Sequence, residues 1–198
     1  MRCLIFAIFI LLSHPMFGQF LSDQQKEFCM ATFKHYQYAN EDLVKEMIEN
    51  MKSFNSSEAD IEWYKDNIVR VDSIMDICVD LVNKNDCKNL AKLLEKERYN
   101  IYAHPHNDTY LCYYFNAVMS LVYSHAIEDD REYYTKVADL GEYSKMMIEA
   151  VQANWEEYHP LYMQVLEELK QVYEILENQT KINDMLLLIL KVEQSVKQ

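Results

Sequence analysis

The stretch "LYMQVLEELKQVYEIL" (Leu161–Leu176) carries apolar residues at Tyr162, Val165, Leu166, Leu169, Val172, Tyr173 and Leu176. Steps of three and four positions place all of them on one side of an α-helix. The same spacing recurs in Leu43, Met47, Ile48, Met51 and Phe54. It recurs again in Ile61, Tyr64, Ile68, Val71, Ile74, Met75, Cys78 and Leu81, and in Leu111, Phe115, Val118, Val122 and Ala126. An amphipathic helix buries its stripe against a neighbour, so each of these segments is expected to pack on another helix. A β-protein of this length needs many tight turns. Beyond Gly18 this chain has Gly141 as its sole glycine, and Pro105 and Pro160 as its only prolines. The chain is therefore expected to be all-α.

Start signals fall between the stripes. Ser57 to Asp60 has the spacing of a capping box, with a short Asp in the Glu position. Asn40 precedes Glu41 and Asp42, whose charges suit the positive start of a helix. Asp86 can cap "CKNLAKLLEKERYNIY" (Cys87–Tyr102), and Pro160 suits a first turn, where no amide donor is needed. These signals predict helices over about 22–39, 41–54, 58–84, 87–103, 108–128, 131–157 and 160–177, with a last one from about 181. No low-complexity stretch or linker interrupts them, so residues 19–198 are expected to form a single domain.

The first residues, "MRCLIFAIFILLSHPMFG" (1–18), read as a secretory signal peptide: Arg2, an apolar run from Cys3 to Leu12, and the small Gly18 at the cleavage position. The expected location is secreted or periplasmic. With the leader removed, no segment is expected to be integral to a membrane. The chain has net charge -13, and no cluster of Lys or Arg follows the leader. Such a surface repels phosphate backbones, which disfavours nucleic acid as a partner. Four cysteines remain: Cys29, Cys78, Cys87 and Cys112. They allow three pairings, and buried free thiols are the other reading. Sequons at Asn55, Asn107 and Asn178 fall at expected turns, and they suit N-glycosylation if the host is eukaryotic.

The two prolines share a dipeptide, His104-Pro105 and His159-Pro160, and each is expected to end one helix before another begins. Each following helix carries a Val-Tyr pair, Val122-Tyr123 and Val172-Tyr173. Helical hairpins so spaced suggest a helical array. Residues 140–191, from "LGEYSKMMIEA" to "DMLLLILK", resemble tetratricopeptide-like repeats, especially the longer kind seen in kinesin light chains. The matching residues are Gly141, Tyr143, His159, Pro160, Leu166, Leu169 and Tyr173. The resemblance implies antiparallel hairpins in a right-handed array that binds another protein. Small residues expected at the helix crossings are scarce, with Met147 and Leu169 in crossing positions. The alternative is a non-repeating helical bundle.

One constellation could carry metal chemistry. His104, His106 and Asp108 alternate in "YAHPHNDTYLCYY" (Tyr102–Tyr114), and in an extended loop all three could face one divalent ion. No partnered His-x-x-x-His or Glu-x-x-His helix completes the shell. The competing reading is a turn, with Asn107 or Asp108 capping the next helix. With one glycine, neither a Gly-x-Ser-x-Gly nucleophile turn nor a phosphate loop can be built after the leader. No catalytic residue and no cofactor are expected. The fifteen tyrosines point instead to protein contact, because amphipathic aromatics favour interfaces. The candidate contact residues are Tyr110, Tyr113, Asn116 and Tyr162. The partner would be a protein, and the acidic surface suits a basic one. An immunity or inhibitor protein is the second reading, and a metal-dependent enzyme centred on His104 and His106 the third.

Overall fold

The computed structural model describes residues 20–37, 41–151 and 155–195. Among these there are eight helices and no strand: α1 (Asp23–Lys34), α2 (Glu41–Ser53), α3 (Glu58–Asn83), α4 (Cys87–Tyr102), α5 (Thr109–Ala126), α6 (Asp130–Ala150), α7 (Trp155–Ile175) and α8 (Gln179–Ser195). The protein is all-α. The leader, residues 1–18, and the Asn40 cap lie outside the described residues.

Local chemistry sets the ends. The Ser57 hydroxyl accepts from the Asp60 amide while Asp60 reaches back to the Ser57 amide, so the short Asp does close the box. Asp86 caps α4 through the Asn89 amide. A further capping box, Ser22 with Gln25, opens α1. The largest departure from the sequence reading is at Pro160. It lies inside α7 rather than at a break, and the chain turns after Ala150. Being close to the start of its helix, Pro160 forfeits only one backbone hydrogen bond. Residues 151–154 contain neither Gly nor Pro, so the sequence offers no signal for a helix end at Ala150.

One domain is expected from the lack of a linker. The described helices group into two compact units, one ending at Ala126 and the other beginning at Ile127. In the first, α1 packs on α3 and α5, α3 on α4, and α4 on α5. That is a closed ring of four helices. Its core holds Phe33, Tyr36, Val71, Met75, Cys78, Leu90, Leu94, Ile101, Phe115 and Val118, all fully sequestered. α5 is buried from Leu111 to Ser124 apart from Tyr114. This exceeds the one stripe expected of it, as suits a helix that is apolar nearly all round. α2 is the opposite case. Its stripe was expected to be buried, yet none of its residues is, and Phe54 is 83% exposed.

In the second unit, α6 packs on α7 and α7 on α8. Gly141 lies against Leu169, where a Cβ would meet Leu169 Cδ2 at 2.7 Å. So the one glycine of this segment does occupy a crossing. Polar side chains reinforce the stack. Glu142 of α6 accepts from Tyr173 of α7 at 2.7 Å and from Lys181 of α8 at 2.8 Å, and Tyr162 donates to Glu149 at 2.6 Å. Burial opposes ionisation of Glu142, but the Lys181 and Tyr173 hydrogen bonds and nearby Lys145 outweigh it. Its carboxyl sits below the usual range.

Cys29, Cys78, Cys87 and Cys112 are buried free thiols. Burial pushes Cys29, Cys78 and Cys112 up to about 12. At neutral pH they are protonated and poor nucleophiles. No helix among the described residues is long and apolar enough to cross a membrane.

Candidate functional site

The corner between α4 and α5 is a tight turn, not an extended loop. The Asn107 amide donates to the His104 carbonyl at 2.9 Å, and the Asp108 amide to the His106 carbonyl at 2.8 Å. This folding breaks the alternation on which a shared metal position depends. His104 is buried, and its Nδ1 accepts from the His106 amide at 3.2 Å. That bond fixes the hydrogen on Nε2, which is buried without a hydrogen-bond partner. The His106 ring stands edge-on to that of His104, centroids 5.2 Å apart, and its Nδ1 lies 2.9 Å from the His35 carbonyl. A carbonyl only accepts, so this nitrogen carries the hydrogen. Asp108 is committed as the cap of α5, accepting from the Leu111 amide at 2.7 Å. Among the described residues no group of three or more His, Cys, Asp and Glu is placed to hold a metal ion.

The same turn anchors the ring. Asn107 accepts from the Tyr36 hydroxyl at 2.7 Å and donates to the Tyr102 carbonyl at 3.0 Å, tying α1 to the end of α4. The Tyr36 ring meets His104 and Phe115 edge-on, each at 5.7 Å, and Tyr102 meets Phe115 at 5.8 Å. Burial, with His106 beside it, holds the His104 imidazole down to about 4. It is therefore neutral at physiological pH and serves as part of this aromatic floor.

Above the floor lies a cleft of about 520 Å³. Leu43 at the start of α2, Pro105, and Tyr110, Leu111 and Tyr114 of α5 give it apolar and aromatic walls. His35, His106 and Asp108 supply polar groups. A concave apolar surface with a few polar groups is the usual form of a recognition site. Its chemistry suits an apolar or aromatic side chain entering between the tyrosines, with a neighbouring cation near Asp108.

The four candidate contact residues fare differently. Tyr110 is half-buried and lines the cleft. Tyr113 is buried, on a side of α5 away from the cleft-lining Tyr110 and Tyr114. Asn116 is buried too, accepting from the Tyr102 hydroxyl and lying 3.8 Å from the Cys112 sulfur. Tyr162 belongs to the second unit, buried and bonded to Glu149. None of the last three lines the cleft. Tyr114, Leu43 and His35 were not singled out from sequence. Tyr114 stands beside Tyr113 in "YLCYYFN" and differs only by one step around the helix, whereas Leu43 and His35 reach the cleft through tertiary packing alone. The chain matches no known protein family, no curated protein and no solved structure.

Proposed function

We propose that this is an exported, non-enzymatic module that binds another protein through the cleft between the α1–α2 and α4–α5 corners. The observation that carries the reading is the lining itself: Tyr110, Tyr114, Leu43 and Leu111 around one carboxylate, Asp108. Aromatic residues in concave, desolvated positions supply most binding energy at protein interfaces. The net charge of -13 favours a partner whose anchoring side chain is flanked by basic residues, because opposite fields speed encounter. The leader-like residues 1–18 support export.

The closed ring of residues 20–126 favours a compact bundle with one tight partner, as an inhibitor or immunity protein would have. The α6–α8 stack, with Gly141 at its crossing, supports the tetratricopeptide-like reading for residues 140–191. Pull-down from the compartment of export, with wild type and Tyr114→Ala as parallel baits, tests the cleft. A partner held by wild type and released by Tyr114→Ala is the expected result. Equal capture by both baits would move the interface elsewhere, and turnover of a small molecule by the purified chain would reject the non-enzymatic reading.

A further inference from the structure

The three sequons of this chain occupy different structural settings. Asn55 ends α2 in the left-handed region, φ 57, which Asn tolerates better than most residues. It is exposed, as is Ser57 two positions on. Its side-chain amide hydrogen-bonds to nothing among the described residues. Asn178 is also exposed, followed by exposed Thr180. Its Oδ1 caps α8 by accepting from the Lys181 amide at 3.2 Å, which leaves Nδ2 pointing away from that bond. Asn107 is the reverse. Both ends of its amide are held, Oδ1 by Tyr36 and Nδ2 by the Tyr102 carbonyl, and Thr109 of its sequon is buried.

Resting on the export reading of residues 1–18, we propose that Asn55 and Asn178 are N-glycosylation sites and that Asn107 is not one in the native protein. In the transfer, Nδ2 attacks C1 of a sugar carried on a polyprenyl diphosphate. The N–C1 bond forms, the C1–O bond to the diphosphate breaks, the amide gives up one proton, and the lipid diphosphate leaves. At Asn178 this chemistry spares the cap, because the cap uses oxygen rather than nitrogen. At Asn107 it acts on the nitrogen that donates to the Tyr102 carbonyl, beside the oxygen that accepts from Tyr36, inside the packed corner. A chain modified there before folding could not close that corner, so native molecules carry sugar at the other two positions. A glycan on Asn55 also leaves the cleft open. Leu43 lines the cleft at the start of α2, and the helix that separates it from Asn55 runs about 15 Å at 1.5 Å per residue.

The test is expression of the full chain in a eukaryotic secretory host, followed by intact mass and peptide mapping after enzymatic removal of glycans. Two sugar-dependent mass steps are expected. Asn55→Gln and Asn178→Gln should each remove one step, the double variant both, and Asn107→Gln none. A secreted chain without sugar, or a folded one with Asn107 occupied, overturns the assignment while leaving export standing. An unprocessed chain found in the cytosol overturns export and the assignment together. Occupancy that follows sequon order rather than exposure would also defeat the structural argument.

Discussion

The two units solve the same problem, hiding apolar stripes, in different ways. In residues 20–126, α1, α3, α4 and α5 close into a ring around aromatic side chains, with His104, Tyr36, Phe115 and Tyr102 in a chain of edge contacts. From Ile127 onward, α6, α7 and α8 pack consecutively and are tied by glutamates to tyrosines and a lysine. A ring leaves each helix two neighbours and a shared centre. A stack leaves its last helix one-sided: Leu186, Leu187 and Leu190 of α8 remain exposed. The first unit therefore depends on volume in a common core, and the second on pairwise crossings.

The sharpest way to break this contrast is to empty the ring. Phe115→Ala removes a fully buried side chain at its centre and should cost about 3–5 kcal/mol. Hydrogen exchange should show the loss in residues 20–126. An equal loss of protection across α6–α8 would mean that the units do not open separately.

Acid should act on the units at different pH. His104 is held from 6.5 down to about 4 in the folded state. The unfolded chain binds a proton there that the native chain refuses. Its contribution is thus fully present above about pH 6.5 and is lost as pH falls toward 4, by about 3 kcal/mol in all. Urea titrations across this range should show the ring weakening, and His104→Gln should flatten the dependence. Glu142 runs in the same sense but lower, since its carboxyl is held below the usual value of 4.5. Its support for the α6–α8 stack is present above that value and fades below it.

A smaller effect tests the crossing. Gly141→Ala gains about 1 kcal/mol of helix propensity but overpacks against Leu169, at about 1–3 kcal/mol. Net destabilisation is expected, and in a Leu169→Ala background the same change should become stabilising. A double-mutant cycle by denaturant melts reads the coupling. The least effect is expected from Tyr173→Phe, which deletes one hydrogen bond to Glu142 and should cost about 1 kcal/mol. A much larger cost would make the polar ties, rather than the crossing, the main support of the stack.

How far the chain could be read in advance varied with the range of the forces involved. Ser57, Asp86 and Asp108 cap helices as their spacing implies, because a cap involves atoms three residues apart. The end of α6 was missed, since residues 151–154 show no Gly or Pro and the His159-Pro160 dipeptide drew the boundary to itself. Among the candidate contacts, Tyr110 reached the cleft while Tyr113, Asn116 and Tyr162 went inside. Periodicity identifies which residues share a helix face, but not how many faces of that helix are covered.

By itself the sequence determined the helices, most of their ends and the acidic character of the surface. These follow from apolar spacing, side-chain caps and charge count, all local or additive properties. Only the tertiary structure decided that α5 is buried from Leu111 to Ser124 apart from Tyr114 while no residue of α2 is fully buried, that His104 is kept neutral in an aromatic floor, and that His35, Leu43 and Tyr114 meet at one cleft. Each of those outcomes depends on which helices become neighbours, and that choice is made by the summed packing of residues far apart in the chain.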